Sequence, residues 1–263
     1  MKSSYALFGL IALASNVTSA DAVTLVVNSS SDTYLRGGSA DQAYGATESL
    51  LAGNHSSVGP FTGLFRFDLS GLPNSNITID SVTLTLTSTG NGAGASVTLN
   101  VFQLAAANSD WIEGTQNGTN GDGASTWSKK VRDLVAPASP EADWAGSPGA
   151  RTAGTDYVNT SLASFTGNAD TIGTGQLAFS STGSFASTVA ASAGGSLNLW
   201  VGNPTVILVN EFFRIASRET AGTASDPLLT VNYTAIPEPS AALSLLSGVG
   251  MLALRRRRAT AQA

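Results

Sequence analysis

The sequence contains no cysteine and one histidine, His55, among its 263 residues. The absence of cysteine excludes disulfides, thiol nucleophiles, iron–sulfur clusters and thiolate zinc sites. His55 lies in a Gly- and Ser-rich stretch with no partner identifiable from sequence, so we expect it at the surface. Histidine-based catalysis therefore has little support.

Charged residues are scarce as well, at 12% of the chain. Residues 21–236 hold 8 basic and 17 acidic side chains, a balance of −9. This field repels phosphate backbones and predicts that nucleic acid is not a partner. The apolar fraction of 42% is near the globular average, so the chain can build a core.

The N-terminus has the pattern of a secretory signal peptide. Lys2 precedes an apolar run over residues 5–14, and the small residues 18–20 offer a cleavage site. We expect residues 1–20 to be the signal and the mature chain to begin near Asp21.

The C-terminus combines three features in order: Pro237, Glu238 and Pro239, an apolar stretch over 241–254, and four arginines, Arg255, Arg256, Arg257 and Arg258. A helix of 14 residues rises about 21 Å, short of the roughly 30 Å hydrocarbon core, so the stretch predicts a transient anchor in the inner membrane. The arginines would stay cytoplasmic and leave the preceding chain exported.

This tail, residues 236–260, closely resembles the PEP-CTERM sorting signal of Gram-negative bacteria. The resemblance implies an exosortase as partner, which would cut near the Pro-Glu-Pro motif. It also implies delivery to the cell surface or an exopolysaccharide matrix, with Pro237, Glu238 and Pro239 as sorting residues.

Residues 21–235 read as one domain of short strands. Val82, Leu84 and Leu86 alternate with threonines, which indicates a half-buried strand, and the same period recurs near residues 61–69, 97–101, 197–201 and 229–233. Gly, Asn, Asp and Ser clusters separate the runs. A sheet with one solvent-exposed face must bury its apolar face against another layer. We therefore expect an all-β antiparallel β-sandwich of jelly-roll type.

Several short segments carry a second resemblance across residues 23–234. They are residues 32–38 with 44–45, 65–73, 79–84, 110–115, 121–124 with Trp127, 213–219 and 226–233. Their order is similar to the DNRLRE family, secreted bacterial β-sandwich modules related to carbohydrate-binding modules. The chain departs from the family pattern between residues 128 and 149, so ligand specificity is not carried across that loop.

From about residue 105 to 175 the alternation fades, and three of the four tryptophans lie there. An exposed indole can stack on a sugar ring, so Trp111, Trp127 and Trp144 are the candidate carbohydrate-binding residues. Trp111 and Trp127 fall within family motifs and are as easily core residues. Trp144 is the better candidate for exposure.

The run from Asn117 to Gly123 is rich in oxygen ligands, and Asn117, Asn120 and Asp122 are the candidate residues for a structural calcium. The bidentate Glu of an EF-hand is missing, and turn chemistry explains most of the pattern. We predict no other cofactor.

We assign no catalytic residue. Asp110 and Glu113 are the nearest pair for a glycosidase, but sequence does not give their separation, and carboxylates in turns usually cap backbone N–H groups. We expect Arg66, Arg214 and Arg218 to pair with Asp68, Glu211 or Glu219 rather than to capture an anion.

The leading interpretation is an exported, non-catalytic surface or matrix protein that adheres to polysaccharide. A glycan-acting enzyme and a purely structural matrix protein are the alternatives.

Overall fold

A computed structural model describes residues 21–133, 141–181 and 183–236. The predicted signal peptide and the sorting tail from Pro237 onward lie outside these residues. Within the described ranges, no helix has the length and apolarity needed to cross a membrane.

The described chain is built mainly from β-strands, with one short α-helix. The strands are β1 (Ala22–Arg36), β2 (Gln42–Ala43), β3 (Ser49–His55), β4 (Gly59–Asp68), β5 (Ile77–Thr87), β6 (Val97–Gln103), β7 (Thr119–Asn120), β8 (Ala163–Gly167), β9 (Gln176–Ser181), β10 (Ser196–Gly202), β11 (Glu211–Ala216) and β12 (Leu228–Ala235). The helix, α1, spans Gly183–Ala191 and buries Phe185 and Val189, one turn apart.

The strands form where the sequence alternates. In β5, Val82, Leu84 and Leu86 are buried and the threonines between them are half-buried, as the period of two requires. All pairings between named strands are antiparallel. The all-β antiparallel prediction is therefore confirmed.

Two sheets are joined at both edges. The first sheet has the order β1–β12–β5–β9, and the second runs β8–β6–β10–β4 and continues into β3 and β11. A register shift between Ser29 and Ser31 lets the first half of β1 pair with β12 and the second half with β4. Because β9 also pairs with both β5 and β8, the ladders return to β1. The sandwich is thus close to a closed barrel; its jelly-roll classification stays a prediction.

The main core lies between the two sheets. Its largest fully buried members are phenylalanines from both sheets and from α1: Phe65, Phe67, Phe179, Phe185 and Phe213. Burial of each such side chain contributes on the order of 2 kcal/mol by its apolar area.

A second core lies on the outer face of the second sheet. Trp200 of β10 stands opposite Leu64 of β4 and Phe102 of β6, which makes an apolar row across three strands. The segment between β6 and β8 folds over this row and contributes Trp111, Trp144 and Tyr157, all buried.

The described parts of this segment are therefore packed onto the sheet, although it is nearly without strands. Its apolar residues lie in turns and contact the sheet individually. The sequence of the segment therefore shows no regular alternation. Trp144 is only 4% exposed, so the expectation that it is an exposed indole is wrong.

The Trp144→Ala variant tests this second core. We expect a loss of about 3–5 kcal/mol in the free energy of unfolding, because a buried indole leaves a cavity and the hydrogen bond from its Nε1 to the Thr126 carbonyl (3.0 Å) is lost. Urea unfolding followed by circular dichroism measures the change. Leu208→Ala, at a side chain 72% exposed, is the control and should change stability by less than about 0.5 kcal/mol. Equal effects would contradict the packing described here.

Candidate functional site

The three predicted sugar-binding tryptophans do not form an open platform. Trp111 is 1% exposed; its Nε1 donates to Asn198 Oδ1 at 2.9 Å, and the Arg66 guanidinium lies over its ring. Trp144 is buried in the same cluster. Both indoles cover the apolar outer face of the second sheet, which is why neither ring faces solvent.

Trp127 is the partly exposed member of the three. Its ring packs directly on the backbone of Gly149, where a Cβ would lie 2.4 Å from the ring. Gly149 has φ +77° and donates its N–H to the Trp127 carbonyl at 2.7 Å. The contact fixes the loop before Ala150, and sugar stacking by Trp127 stays a prediction.

The predicted calcium residues lie around a turn. Asn117 and Asn120 are exposed, and Asn120 stands opposite Gln42 in the short β2–β7 pairing. Asp122 lines a neighbouring cleft, and its backbone carbonyl accepts a hydrogen bond from Gln116 Nε2 at 2.8 Å. The carboxylates that come close together in the described ranges are different ones, Asp32, Glu113 and Glu219.

That cleft has a volume of about 500 Å³ and lies between β1 and the segment after β6. Its polar lining includes Ser31, Arg66, Glu113, Thr115, Gln116 and Asp122. Arg66 is already bound, donating to Asn198 Oδ1 and to the carbonyls of Ser109 and Trp111 at 2.7–3.0 Å. The expected pairing of Arg66 with Asp68 is replaced by these neutral acceptors.

Asp110 and Glu113, the nearest pair for acid–base chemistry, are held by different cations. Asp110 is exposed and forms an ion pair with Lys130 Nζ at 2.8 Å. Glu113 Oε2 pairs with Arg218 Nη1 at 3.0 Å, and its Oε1 accepts the N–H of Asp32 at 2.7 Å. Glu113 thus covers the backbone of β1 near the point where that strand leaves one sheet for the other.

Asp32 is a buried carboxylate behind the cleft, fully removed from solvent. Its Oδ2 accepts from Ser29 Oγ at 2.8 Å and from the Arg218 N–H at 3.1 Å. Burial outweighs these hydrogen bonds and raises the pKa of Asp32 to about 7. Burial also raises the pKa of Glu113 and the pKa of Glu219. Titrating oxygens therefore converge in the interior, and Glu113 alone of the three lines the cleft.

A second pocket, of about 330 Å³, lies where β1, β4, β3 and β11 meet. Arg36 stands opposite Phe61, Phe61 opposite Gly53, and Gly53 opposite Phe212, so these residues share one face. Gly53 (φ +128°) carries no side chain between the two phenylalanine rings, whose centroids are 5.6 Å apart. Arg214 lies two residues after Phe212 in β11 and therefore on the same face.

Among the described residues, the two arginines of this pocket have no acidic partner. Within the described ranges no carboxylate oxygen lies within 4.0 Å of Arg36 or Arg214, and the Nε of each is buried without an acceptor. The expectation that Arg214 pairs with a carboxylate is therefore wrong. The expectation for Arg218 is confirmed, since Arg218 lies 3.8 Å from Glu219 as well as beside Glu113.

His55 lies at the mouth of the same pocket instead of in a free loop. Its ring contacts Phe61 and Phe212, with centroids 6.0 and 5.7 Å away, and its Nδ1 accepts the Ser57 N–H at 3.2 Å. The result is a cationic pocket with an aromatic floor, in a domain whose balance of charge is negative.

Sequence reasoning missed Asp32 and Arg36, although both lie in one of the family-like segments. The sequence alone does not show their environment, because only the fold places Asp32 opposite Phe65 and Arg36 opposite Phe61 of β4. A charged residue opposite a core position is unusual unless it has a role.

Comparison with known proteins gives one family. A family model described as carbohydrate-binding module family 96 matches residues 23–130, which include β1 from its second residue and all of β2–β7. The match supports a carbohydrate-binding-module-like domain in this part of the chain. No curated protein matches the chain.

Proposed function

We propose that this protein is a non-catalytic polysaccharide-binding module and that the pocket of Arg36 and Arg214 is its binding site. The observation that carries the proposal is that Arg36 and Arg214 line one pocket and, among the described residues, have no carboxylate within 4.0 Å. The family match supports sugar binding as the class of function, and its range contains Arg36, β3 and Phe61.

The chemistry of the pocket favours an acidic polysaccharide. A guanidinium binds a carboxylate through paired N–H groups, so Arg36 and Arg214 are the groups that would recognise the sugar. Phe61 and Phe212 close the base of the pocket, but they are 2% and 9% exposed and leave little ring surface for stacking. The balance of −9 over residues 21–236 repels a polyanion at long range, so recognition depends on local contact. Added salt should weaken it.

Adhesion to a polysaccharide outside the cell requires that the protein be exported. We propose that residues 1–20 direct secretion and that residues 236–260 hold the chain in the inner membrane until an exosortase cuts near Pro237. The support is the order of the tail, with Glu238 between two prolines, an apolar stretch and four arginines in direct succession. The mature module would then reach the surface or matrix of a Gram-negative cell.

Substitution of the two arginines tests the binding site. We expect the wild-type chain to bind a polyuronate such as polygalacturonate more tightly than a neutral glucan of similar length. Arg36→Gln and Arg214→Gln should each weaken polyuronate binding about tenfold or more, because each removes a charge-assisted hydrogen-bond donor pair. Isothermal titration calorimetry measures the affinities.

Lys129→Gln is the matched control, since it removes one cation from an exposed pairing with Glu141 and Asp143. Its affinity should stay at the wild-type value. Absence of binding to every polysaccharide would contradict the proposal and favour a structural matrix protein. Reducing-sugar release that disappears in Asp110→Asn or Glu113→Gln would instead favour a glycan-acting enzyme.

The sorting proposal has its own test in cells. Glu238→Ala should alter processing because it changes the motif near which the exosortase would cut. Deletion of Arg255–Arg258 should alter processing because it removes the charges that would keep the C-terminus on the cytoplasmic side. Mass spectrometry of the surface fraction reports the mature C-terminus. A mature mass and a location unchanged in both variants would contradict sorting by this tail.

A further inference from the structure

Three distant parts of the chain bring carboxylates together beside β1. Asp32 comes from β1, Glu113 from the segment after β6, and Glu219 from the loop between β11 and β12. One oxygen of each lies within 4.8 Å of one oxygen of the others. Two oxygens bound to one Ca²⁺ at about 2.3–2.6 Å are at most about 5 Å apart, so the spacing fits a shared cation.

Two buried oxygens of this cluster have no hydrogen-bond donor among the described residues. Asp32 is 0% exposed, and its Oδ1 has no donor among the described residues. Glu219 Oε2 is likewise buried without a donor, as is Oδ1 of the nearby Asp226. Buried acceptors are normally paired, because desolvation without compensation is costly. These oxygens are placed to accept a bond from a positive group.

Arg218 does not supply it. Its Nη1 contacts Glu113 Oε2 at 3.0 Å and Glu219 Oε1 at 3.8 Å, and its side chain is 39% exposed. Asp32 receives the backbone N–H of Arg218 instead of its guanidinium. The guanidinium of Arg218 thus contacts two of the three carboxylates, and among the described residues Asp32 Oδ1 and Glu219 Oε2 have no donor.

We propose that Asp32, Glu113 and Glu219 bind a calcium ion that fastens β1 to the segment after β6 and to the β11–β12 loop. The ligand set is oxygen alone, which favours a hard cation. Calcium fits better than magnesium, because Mg²⁺ retains several waters and strict octahedral geometry, whereas this cluster is largely buried. The site differs from the sequence candidate around Asn117 and Asn120, whose side chains are exposed.

Thermal unfolding of the full chain tests the site. The protein is first exchanged into chelator and then titrated with CaCl₂ or MgCl₂. Calcium at a hundredfold excess over its Kd should raise the Tm by about 5–10 °C, and magnesium should raise it much less. Calorimetric titration of calcium into the chelated protein should show one site.

Asp32→Asn should abolish the calcium-dependent shift while retaining an acceptor for Ser29 Oγ and the Arg218 N–H. Glu219→Gln, at a side chain 26% exposed, is a second variant that should lose the shift even if Asp32→Asn folds poorly. Asp122→Asn, from the sequence candidate, is the matched control and should keep it. An unchanged wild-type Tm up to about 10 mM calcium, beyond the range of extracellular sites, would overturn the proposal. So would a shift lost in Asp122→Asn and kept in Glu219→Gln.

Discussion

The apolar outer face of the second sheet is the constraint on which the rest of the structure depends. Leu64, Phe102 and Trp200 form a row that water would otherwise cover, although the other face of the same strands already packs the main core. The segment after β6 buries this row with Trp111 and Trp144. Turn and loop hydrogen bonds act together with this aromatic packing to hold the segment on the sheet.

The placement of Glu113 follows from that covering. Because Trp111 is fixed by Asn198 and by the sheet beneath it, the residue two positions later reaches the N–H of Asp32 and the guanidinium of Arg218. The acidic cluster therefore exists only when the segment after β6 lies on the sheet. A calcium ion there and the second core would stabilise the same arrangement from two sides.

The distribution of charge separates two regions of the module. Carboxylates gather where β1 crosses from one sheet to the other, around Asp32 and Glu113. Arg36, four residues further along β1, belongs to a cationic pocket instead. Among the described residues, four arginines have no carboxylate within 4.0 Å. Arg66 and Arg151 donate to neutral acceptors instead, whereas Arg36 and Arg214 share one pocket.

The strands were predictable, and the site was not, for physical reasons. The alternation in β5 is a local pattern that matches the structure, because one face of the strand packs on the core and the other faces solvent. In β10 both faces are buried, so Leu199, Trp200 and Val201 form a continuous apolar run. Such a run does not show that a second core covers the outer face of the sheet. Asp32 and Glu113 are 81 residues apart, and only tertiary packing brings them together.

The exposure of the tryptophans also depended on tertiary structure. Trp111 and Trp144 each follow an Asp in a segment rich in Gly, Ser and Thr, which is typical of a solvated loop, yet both rings are buried. Hydrogen exchange of the indole N–H groups, followed by NMR, tests this packing most directly. The structure predicts strong protection for Trp111, bonded to Asn198 Oδ1, and for Trp144, bonded to the Thr126 carbonyl. Exchange of both at the rate of an unfolded chain would contradict the account.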